Sequence, residues 1–323
     1  MNRNYEEILK KCRNILKTDP NNAEALATLR LIYKIRFDDN LILFEDHFQT
    51  KEHLLYLQNH LFLFHLIEEI SKKEKIRDDI KIKSYSLSPK NLLNLVHDFF
   101  KNATTKEFYK MFINMLKNNE IVLYKNKDYK FGAYTVYWAF INTPIMIVIC
   151  NNYYEDMEDD YIEDDYIYVP IIAHEIGHGI SDLINYHIAF QQENSIFDEI
   201  ISTFFELICN DYFYHTSYKN SAINYAYRNY NDIINRAQIL CDYNSSSLED
   251  PALQYCYVVG FNIAIELYII YLSDKDKAFY LLNEIIKVPK FLPSEEYFER
   301  ILKLGITPNN NLNEYENILK RML

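Results

Sequence analysis

Two histidines four residues apart, His174 and His178, stand in the segment HEIGH with Glu175 between them. On an α-helix this spacing puts both imidazoles on one face, one turn apart, where they can bind the same metal ion. Glu175 then lies beside the open coordination position, where a carboxylate accepts a proton from a metal-bound water. The segment therefore predicts one zinc ion per chain, with both histidines as ligands and Glu175 as the general base.

The sequence around the motif predicts a helix. Pro170 suits a first helical turn, where its missing N–H would have no partner anyway. From Pro170 to Ile184 apolar residues recur at helical spacing, while the two histidines share a different stripe. The residues predicted to face the core are Ile171, Ile172, Ile176, Ile180 and Leu183. Two ordinary histidines on such a helix are the alternative, so the metal hypothesis needs a third ligand.

The third ligand is predicted on the following helix. In one known pattern a third histidine stands six residues after the second, where this chain has Ile184. A downstream glutamate is the other common solution, and Glu199 and Glu206 lie two turns apart on one helical face. We predict Glu199 as the third ligand, and Glu206 as the partner that holds a ligand histidine in the right tautomer. Two solvated carboxylates are the alternative for this pair.

Five further segments accompany the HEIGHG motif in a fixed order along residues 125–323. They are Gly132-Ala133-Tyr134, Pro144–Asn151, Glu199–Glu206 (EIISTFFE), Tyr255–Gly260 (YCYVVG) and Leu302–Ile306 (LKLGI). In these residues and this order the chain resembles the thimet oligopeptidase and oligoendopeptidase F family of zinc peptidases, and the oligoendopeptidase F branch in particular. The resemblance implies a zincin-like catalytic core.

The resemblance also implies roles for residues outside the zinc motif. The strand with Gly132, Ala133 and Tyr134 would lie along a cleft and pair with an extended peptide through its backbone. Tyr255 and Tyr257 match tyrosines of the family and are the candidates for stabilising the oxyanion. Since the chain contains 29 tyrosines, ordinary packing aromatics are the alternative for this pair.

The chain departs from the family pattern in two places. Family members have a histidine shortly before the tyrosine pair, which contributes to the transition-state site. Residues 244–250 read NSSSLED here, with Ser247 near the expected place. The N-terminal half, which roofs the channel in typical members, is much shorter. Another group would therefore have to replace that histidine.

The glycines give separate support for the matched segments. All five glycines of the chain lie within them: Gly132, Gly177, Gly179, Gly260 and Gly305. A chain so poor in glycine keeps it where a side chain would block a close approach or a turn. We predict that Gly177 and Gly260 allow close helix packing, that Gly305 caps a helix, and that Gly132 leaves room for substrate backbone.

The predicted fold is mainly α-helical with one small β-sheet, in two lobes that flank a cleft. Helices are predicted at residues 4–18, 21–37, 50–75, 88–102, 105–117 and again from Pro170 onward, with a capping box at Thr104–Glu107. Strands are predicted at Ile121–Tyr124, Tyr129–Phe140 and Ile145–Cys150. This pattern divides the chain into a helical N-terminal lobe, 1–119, and a zincin-like catalytic domain, 120–323.

Composition limits the partners. The net charge of −12 disfavours nucleic acid, because phosphate binding needs the opposite sign. The apolar stretch Ala252–Leu272 includes Gln254, Asn262 and Glu266, which favours a buried core helix over a membrane span. Five scattered cysteines and a charged, amphipathic N-terminus favour a cytoplasmic protein without a disulfide framework. The oligomeric state has no sequence signal.

Eight carboxylates without a basic residue lie between Glu155 and Asp165. A solvated loop is the ordinary interpretation of such a run. Because the run directly precedes the zinc helix, the alternative is a negative field at the cleft mouth that attracts cationic peptides.

Together these features predict a cytoplasmic zinc endopeptidase that hydrolyses short, unstructured peptides. Two alternatives remain open. A dedicated processing protease for one peptide precursor is motivated by the short N-terminal half. A peptide-binding homologue with weak turnover is motivated by the missing histidine.

Overall fold

The computed structural model describes residues 61–76, 85–118, 120–125, 132–138, 143–150, 164–185, 195–241, 251–288, 294–307 and 311–322. These ranges contain ten α-helices, three strands and a short 3-10 helix, Asp165–Ile167. The prediction of a mainly α-helical fold is confirmed. The helices predicted at 4–18 and 21–37, and the first part of the one at 50–75, lie outside the described residues.

The elements are numbered in chain order. They are α1 (Leu61–Ser71), α2 (Pro89–Ala103), α3 (Lys106–Lys117), β1 (Ile121–Lys125), β2 (Gly132–Trp138), β3 (Thr143–Cys150), α4 (Tyr168–Asn185), α5 (Ser195–Tyr214), α6 (Lys219–Cys241), α7 (Pro251–Ser273), α8 (Lys275–Ile286), α9 (Ser294–Lys303) and α10 (Leu312–Met322).

The start of α3 differs by one residue from the predicted capping box. Thr105, and not Thr104, is the N-cap, and its hydroxyl accepts a hydrogen bond from the Phe108 N–H at 3.4 Å. The Thr104 hydroxyl donates instead to the Phe100 carbonyl of α2 at 2.6 Å. With two adjacent threonines, the end of the preceding helix decides which one is free to cap. The predicted box with Glu107 is therefore wrong in register.

The three strands form one sheet in the order β1-β3-β2. β1 runs parallel to β3, with Ile121 opposite Met146, and β2 runs antiparallel to it, with Gly132 opposite Ile149. Helix α4 packs against both β2 and β3. The sheet thus lies beside the helix that carries the two predicted histidine ligands.

Helix α7 lies in the centre of the helical core and packs against α5, α6 and α8. By length and composition its stretch Gln254–Ser273 could span a membrane, but most of it is buried inside the protein. Its polar residues bond to the chain near α10: Asn262 Oδ1 accepts from the Asn311 N–H at 3.1 Å, and Glu266 Oε2 accepts from the Thr307 N–H at 2.9 Å. As predicted, α7 is a core helix.

One hydrophobic core includes side chains from both predicted domains. Its buried residues run from Leu66 on α1 to Met322 on α10, and α2 packs against α4 and α5. The boundary predicted at residue 119 stays a prediction. Near the other end of the chain, Gly305 has a φ of +82° just after α9, which confirms its predicted place as a helix C-cap.

The last two residues of the acidic run are buried and not solvated. Asp164 and Asp165 are each 8% exposed. Asp164 Oδ1 accepts from the Tyr85 N–H at 3.3 Å, and Asp165 Oδ2 accepts from the Leu87 N–H at 2.7 Å. The expectation of a solvated loop is therefore wrong for these two residues, which anchor the chain just before α4, while the field at the cleft mouth stays a prediction. Residues 155–163 lie outside the described residues.

Candidate metal centre

Three side chains predicted as metal ligands converge between α4 and α5. His174 and His178 come from α4 and Glu199 from α5, and one donor atom from each lies within 4.8 Å of the others. The two Nε2 atoms are 3.2 Å apart, and Glu199 places its carboxylate oxygens 3.3 Å from the first and 3.8 Å from the second. Two imidazoles and one carboxylate are a ligand set of catalytic zinc sites, which keep a further position open.

Gly177 allows α4 and α5 to approach closely at this point. A Cβ on Gly177 would lie 2.7 Å from the Cα of Ser202, closer than side chains tolerate. The predicted packing role of Gly177 is confirmed. Because this glycine lies between the two histidines, the contact brings both of them onto α5. Ser202 also donates through its hydroxyl to the backbone carbonyl of Glu199 at 3.3 Å.

Gly260 provides a second close approach, from α7. A Cβ there would lie 2.6 Å from the Cβ of Glu199 and 3.2 Å from its carbonyl carbon. Gly260 was predicted as a packing glycine, and the structure adds that its neighbour is Glu199, the residue predicted as the third ligand. The position of Glu199 is therefore fixed from two sides, by α4 and by α7.

Glu206 lies behind His174, on the side away from the other ligands. Its Oε2 is 2.7 Å from His174 Nδ1, and its Oε1 accepts from the Tyr225 hydroxyl at 2.8 Å and from the Asn229 amide. An Nδ1–H that donates to this carboxylate leaves the Nε2 lone pair facing His178 and Glu199. This is the tautomer that a metal ligand needs.

Tyr225 and Asn229 were not predicted from the sequence. They stand four residues apart on α6 and therefore share a helical face, which a helical plot would have revealed. The sequence contains no signal for which helix that face meets. Their bonds supply two donors to Oε1 of Glu206, which is only 7% exposed.

The electrostatics of the cluster favour a cation. Burial alone would lower the pKa of His174, but hydrogen bonds with Glu199 and Glu206 outweigh burial and raise that pKa well above its ordinary value. Carboxylates that stabilise a proton on a buried histidine also stabilise a divalent cation that replaces this proton. The donor set and its charge therefore fit zinc.

Glu175 and Tyr257 lie next to this cluster. Glu175 is 6% exposed on α4. The charge of Glu199 is the main reason that the pKa of Tyr257 is raised above its ordinary range, burial and the charge of Glu175 add to this, and Arg236 opposes it. The charges of Glu199 and Glu175 therefore both raise the pKa of the Tyr257 phenol.

The two predicted tyrosines differ in access. Tyr255 is fully buried, and its hydroxyl oxygen is buried as well. Tyr257 is only partly buried. Since a substrate oxygen cannot reach a hydroxyl that is buried in the core, Tyr255 is the less suitable of the two predicted oxyanion donors.

The predicted peptide-binding residues lie on β2. Gly132, Ala133 and Tyr134 pair with Ile149, Val148 and Ile147 of β3, as their antiparallel register requires. Among the described strands β2 is at an edge of the sheet, next to α4. Ser247, the residue near the place of the family's histidine, lies outside the described residues.

An HExxH helix followed by a helix with a glutamate, beside a small sheet, defines the class: a helical fold with a candidate His2Glu metal centre. Solved structures of oligoendopeptidase F share this fold. One from Bacillus anthracis str. Ames has a TM-score of 0.58 and 12% identity, and the match covers 95% of this chain and 64% of that one. Another oligoendopeptidase F has a TM-score of 0.58 and 10% identity, with 93% of this chain and 64% of that chain covered.

PZ peptidase A, solved with an inhibitor, has a TM-score of 0.57 and 10% identity, and the match covers 95% of this chain and 66% of that one. This chain therefore spans less than two thirds of the length of each of these three structures. No family model and no curated protein sequence matches it. The resemblance read from the sequence is confirmed at the level of the fold.

Proposed function

We propose that this protein is a zinc-dependent endopeptidase that hydrolyses short, unstructured peptides in the cytoplasm. The observation that carries the proposal is the convergence of His174, His178 and Glu199, with Glu206 bonded behind the first histidine. The fold shared with oligoendopeptidase F and PZ peptidase A structures supports it. One zinc ion per chain would be held by the three converging side chains.

A zinc ion held by His174, His178 and Glu199 would supply Lewis-acid chemistry, which polarises a carbonyl and lowers the pKa of a bound water to near neutral pH. Glu175 accepts the proton of the attacking water and passes it to the leaving nitrogen as the C–N bond breaks. Tyr257 is protonated at neutral pH, because the ordinary pKa of a tyrosine is about 10. Its O–H can therefore donate to the carbonyl oxygen as negative charge develops there.

The substrate class follows from the edge of the sheet. A peptide that adds to β2 pairs with the backbone of Gly132, Ala133 and Tyr134, and must be extended to do so. Pairing through the backbone selects an extended peptide conformation more than particular side chains. A short, unfolded peptide meets this requirement, whereas a folded protein does not offer an extended segment.

Metal analysis combined with mass spectrometry of a peptide-library digest tests the proposal, on wild type and on Glu175→Gln. We expect about one zinc per chain in both proteins and cleavage by wild type alone, because the glutamine keeps the ligands but cannot take a proton. A protein that takes up no zinc would contradict the proposal. Zinc-loaded wild type that returns its bound peptides intact would instead indicate a peptide-binding protein, and cleavage of one sequence alone a dedicated processing protease.

A further inference from the structure

Arg236 on α6 lies over the ring of Tyr257 on α7, with its guanidinium carbon 4.3 Å from the ring centroid. The edge of the guanidinium is bonded twice: Nε donates to Asp232 Oδ2 at 2.6 Å, and Nη1 donates to Gln254 Oε1 at 2.8 Å. Gln254 is 6% exposed and stands one turn before the tyrosine on α7. The guanidinium plane is thus fixed in orientation as it covers the ring.

Helix α7 is also fixed close to Tyr257. Gly260, one turn further along α7, touches the backbone of the predicted ligand Glu199. This contact sets how closely α7 approaches the metal centre. What remains free is the direction of the ring, which depends on two side-chain dihedral angles. A planar cation on the face of the ring restricts both angles, and arginine is the residue that stacks best in this way.

We propose that Arg236 is a positioning residue, which holds the ring of Tyr257 so that its hydroxyl points to the carbonyl oxygen of a peptide at the metal centre. This inference rests on the proposed function. Arg236 acts through the tyrosine and does not itself touch the substrate. Its removal therefore affects an interaction that strengthens in the transition state, and lowers kcat more than it raises KM.

A double-mutant cycle tests whether the arginine acts through the tyrosine. Removing one oxyanion donor lowers kcat by about 100-fold or more, so we expect this loss for Tyr257→Phe and a loss of roughly 10-fold for Arg236→Met. Arg236→Lys keeps the charge but loses the planar face, and should fall between wild type and Arg236→Met. The double variant should be no slower than Tyr257→Phe alone. Losses that multiply in the double variant would overturn the proposal.

A second readout does not depend on turnover. With 3-fluorotyrosine at position 257, the ¹⁹F resonance of the zinc-loaded protein reports the environment of the ring. We expect Arg236→Met to shift and broaden this resonance without changing zinc content. Arg321→Met, which removes a 75% exposed arginine on α10, should leave it unchanged. An unchanged resonance in Arg236→Met would also overturn the proposal.

The two readouts separate this inference from the proposed function. If wild type cleaves no peptide, the proposed function fails, while a resonance that depends on Arg236 still supports the positioning role. If Arg236→Met does not fold, Asp232→Asn is the milder variant, because Asp232 is 49% exposed and contributes one of the two bonds that hold the guanidinium. We then expect a smaller shift in the same direction, and no shift would overturn the proposal.

Discussion

Two glutamates of this protein each bond to three side chains, but the two sets of partners differ in charge. Glu316 on α10 binds the ammonium groups of Lys73 and Lys320 at 2.8 and 2.5 Å, and accepts from the Tyr230 hydroxyl at 3.0 Å. Burial alone would raise its pKa, but these bonds outweigh burial and lower the pKa to about 2. Its negative charge is balanced by the chain's own lysines, and it links the end of α1 to α6 and α10.

Glu206 has a different set of partners: a histidine, a tyrosine and an amide. None of these three carries a permanent positive charge. The histidine is itself a predicted metal ligand, and Glu199 adds another carboxylate beside it. Lysines of the chain thus balance the charge of Glu316, whereas the partners of Glu206 carry no permanent charge, so that the carboxylates beside His174 suit a bound divalent cation.

The largest expected effect is on zinc affinity in Glu199→Gln. The substitution removes an anionic ligand while keeping the size of the side chain, and should weaken zinc binding by more than about 100-fold. Competition with a chelator of known affinity measures the change. Glu316→Gln is the matched control, because it also neutralises a glutamate that is only partly exposed. If both variants bound zinc like wild type, the two glutamates would not differ as described.

The next effect should come from the amide behind the ligands. Asn229→Ala removes a hydrogen bond to Glu206, and should weaken zinc binding by about 10-fold. Asn231→Ala is the control on the same helix, since Asn231 bonds to the backbone of Ile76 through both ends of its amide at 2.9 Å. We expect the control to lower the melting temperature and leave zinc affinity unchanged. Equal zinc affinities in both variants would show that Asn229 does not contribute to zinc binding.

Gly260→Ala should combine a loss of stability with a loss of metal. The added methyl group meets the Cβ of Glu199, and overpacking of this kind costs about 1–3 kcal/mol. Gly305→Ala is the control, since its φ of +82° makes the substitution costly by about 1 kcal/mol, far from any neighbour. Thermal unfolding with and without zinc distinguishes them: only Gly260→Ala should lose part of the stabilisation that zinc adds. Full zinc stabilisation in Gly260→Ala would show that this contact does not position Glu199.

The smallest effect is expected at low pH, on the stability that Glu316 contributes. An unfolded glutamate has a pKa of about 4.3, so the depressed pKa of Glu316 contributes stability that is present above that pH and is lost as the pH falls toward 2. Glu316→Gln should flatten the fall of the melting temperature between about pH 5 and pH 2. Urea or thermal unfolding across this range measures it. A slope identical to that of wild type would contradict the assignment.

The sequence was sufficient where the signal is local. The spacing of His174 and His178 and the two-turn separation of Glu199 and Glu206 both survive in the structure, because each depends on one helix. Thr104 and Asp164 show the limit. Which of two threonines caps α3, and whether an aspartate is solvated, depends on the residues that pack against them from elsewhere in the chain.

The partners on α6 could not have been predicted for the same reason. Tyr225, Asn229 and Arg236 reach the centre only because α6 packs beside α5 and α7. Their spacing predicts which residues share a helical face, but it does not predict which helix packs against that face. Long-range packing therefore determines which groups meet at the candidate metal centre, while local spacing was enough to predict which residues could be its ligands.

Zinc K-edge absorption of the purified, zinc-loaded protein tests the central claim most directly, because it reports the atoms bound to the metal. We expect one zinc per chain with two imidazole nitrogens at about 2.0–2.1 Å and oxygen in the remaining positions. The imidazole signal should fall by about half in His174→Ala and in His178→Ala, because each variant keeps one of the two rings. A sulfur shell at about 2.3 Å, or zinc whose surroundings do not change in either variant, would contradict the assignment of His174, His178 and Glu199 as the metal centre.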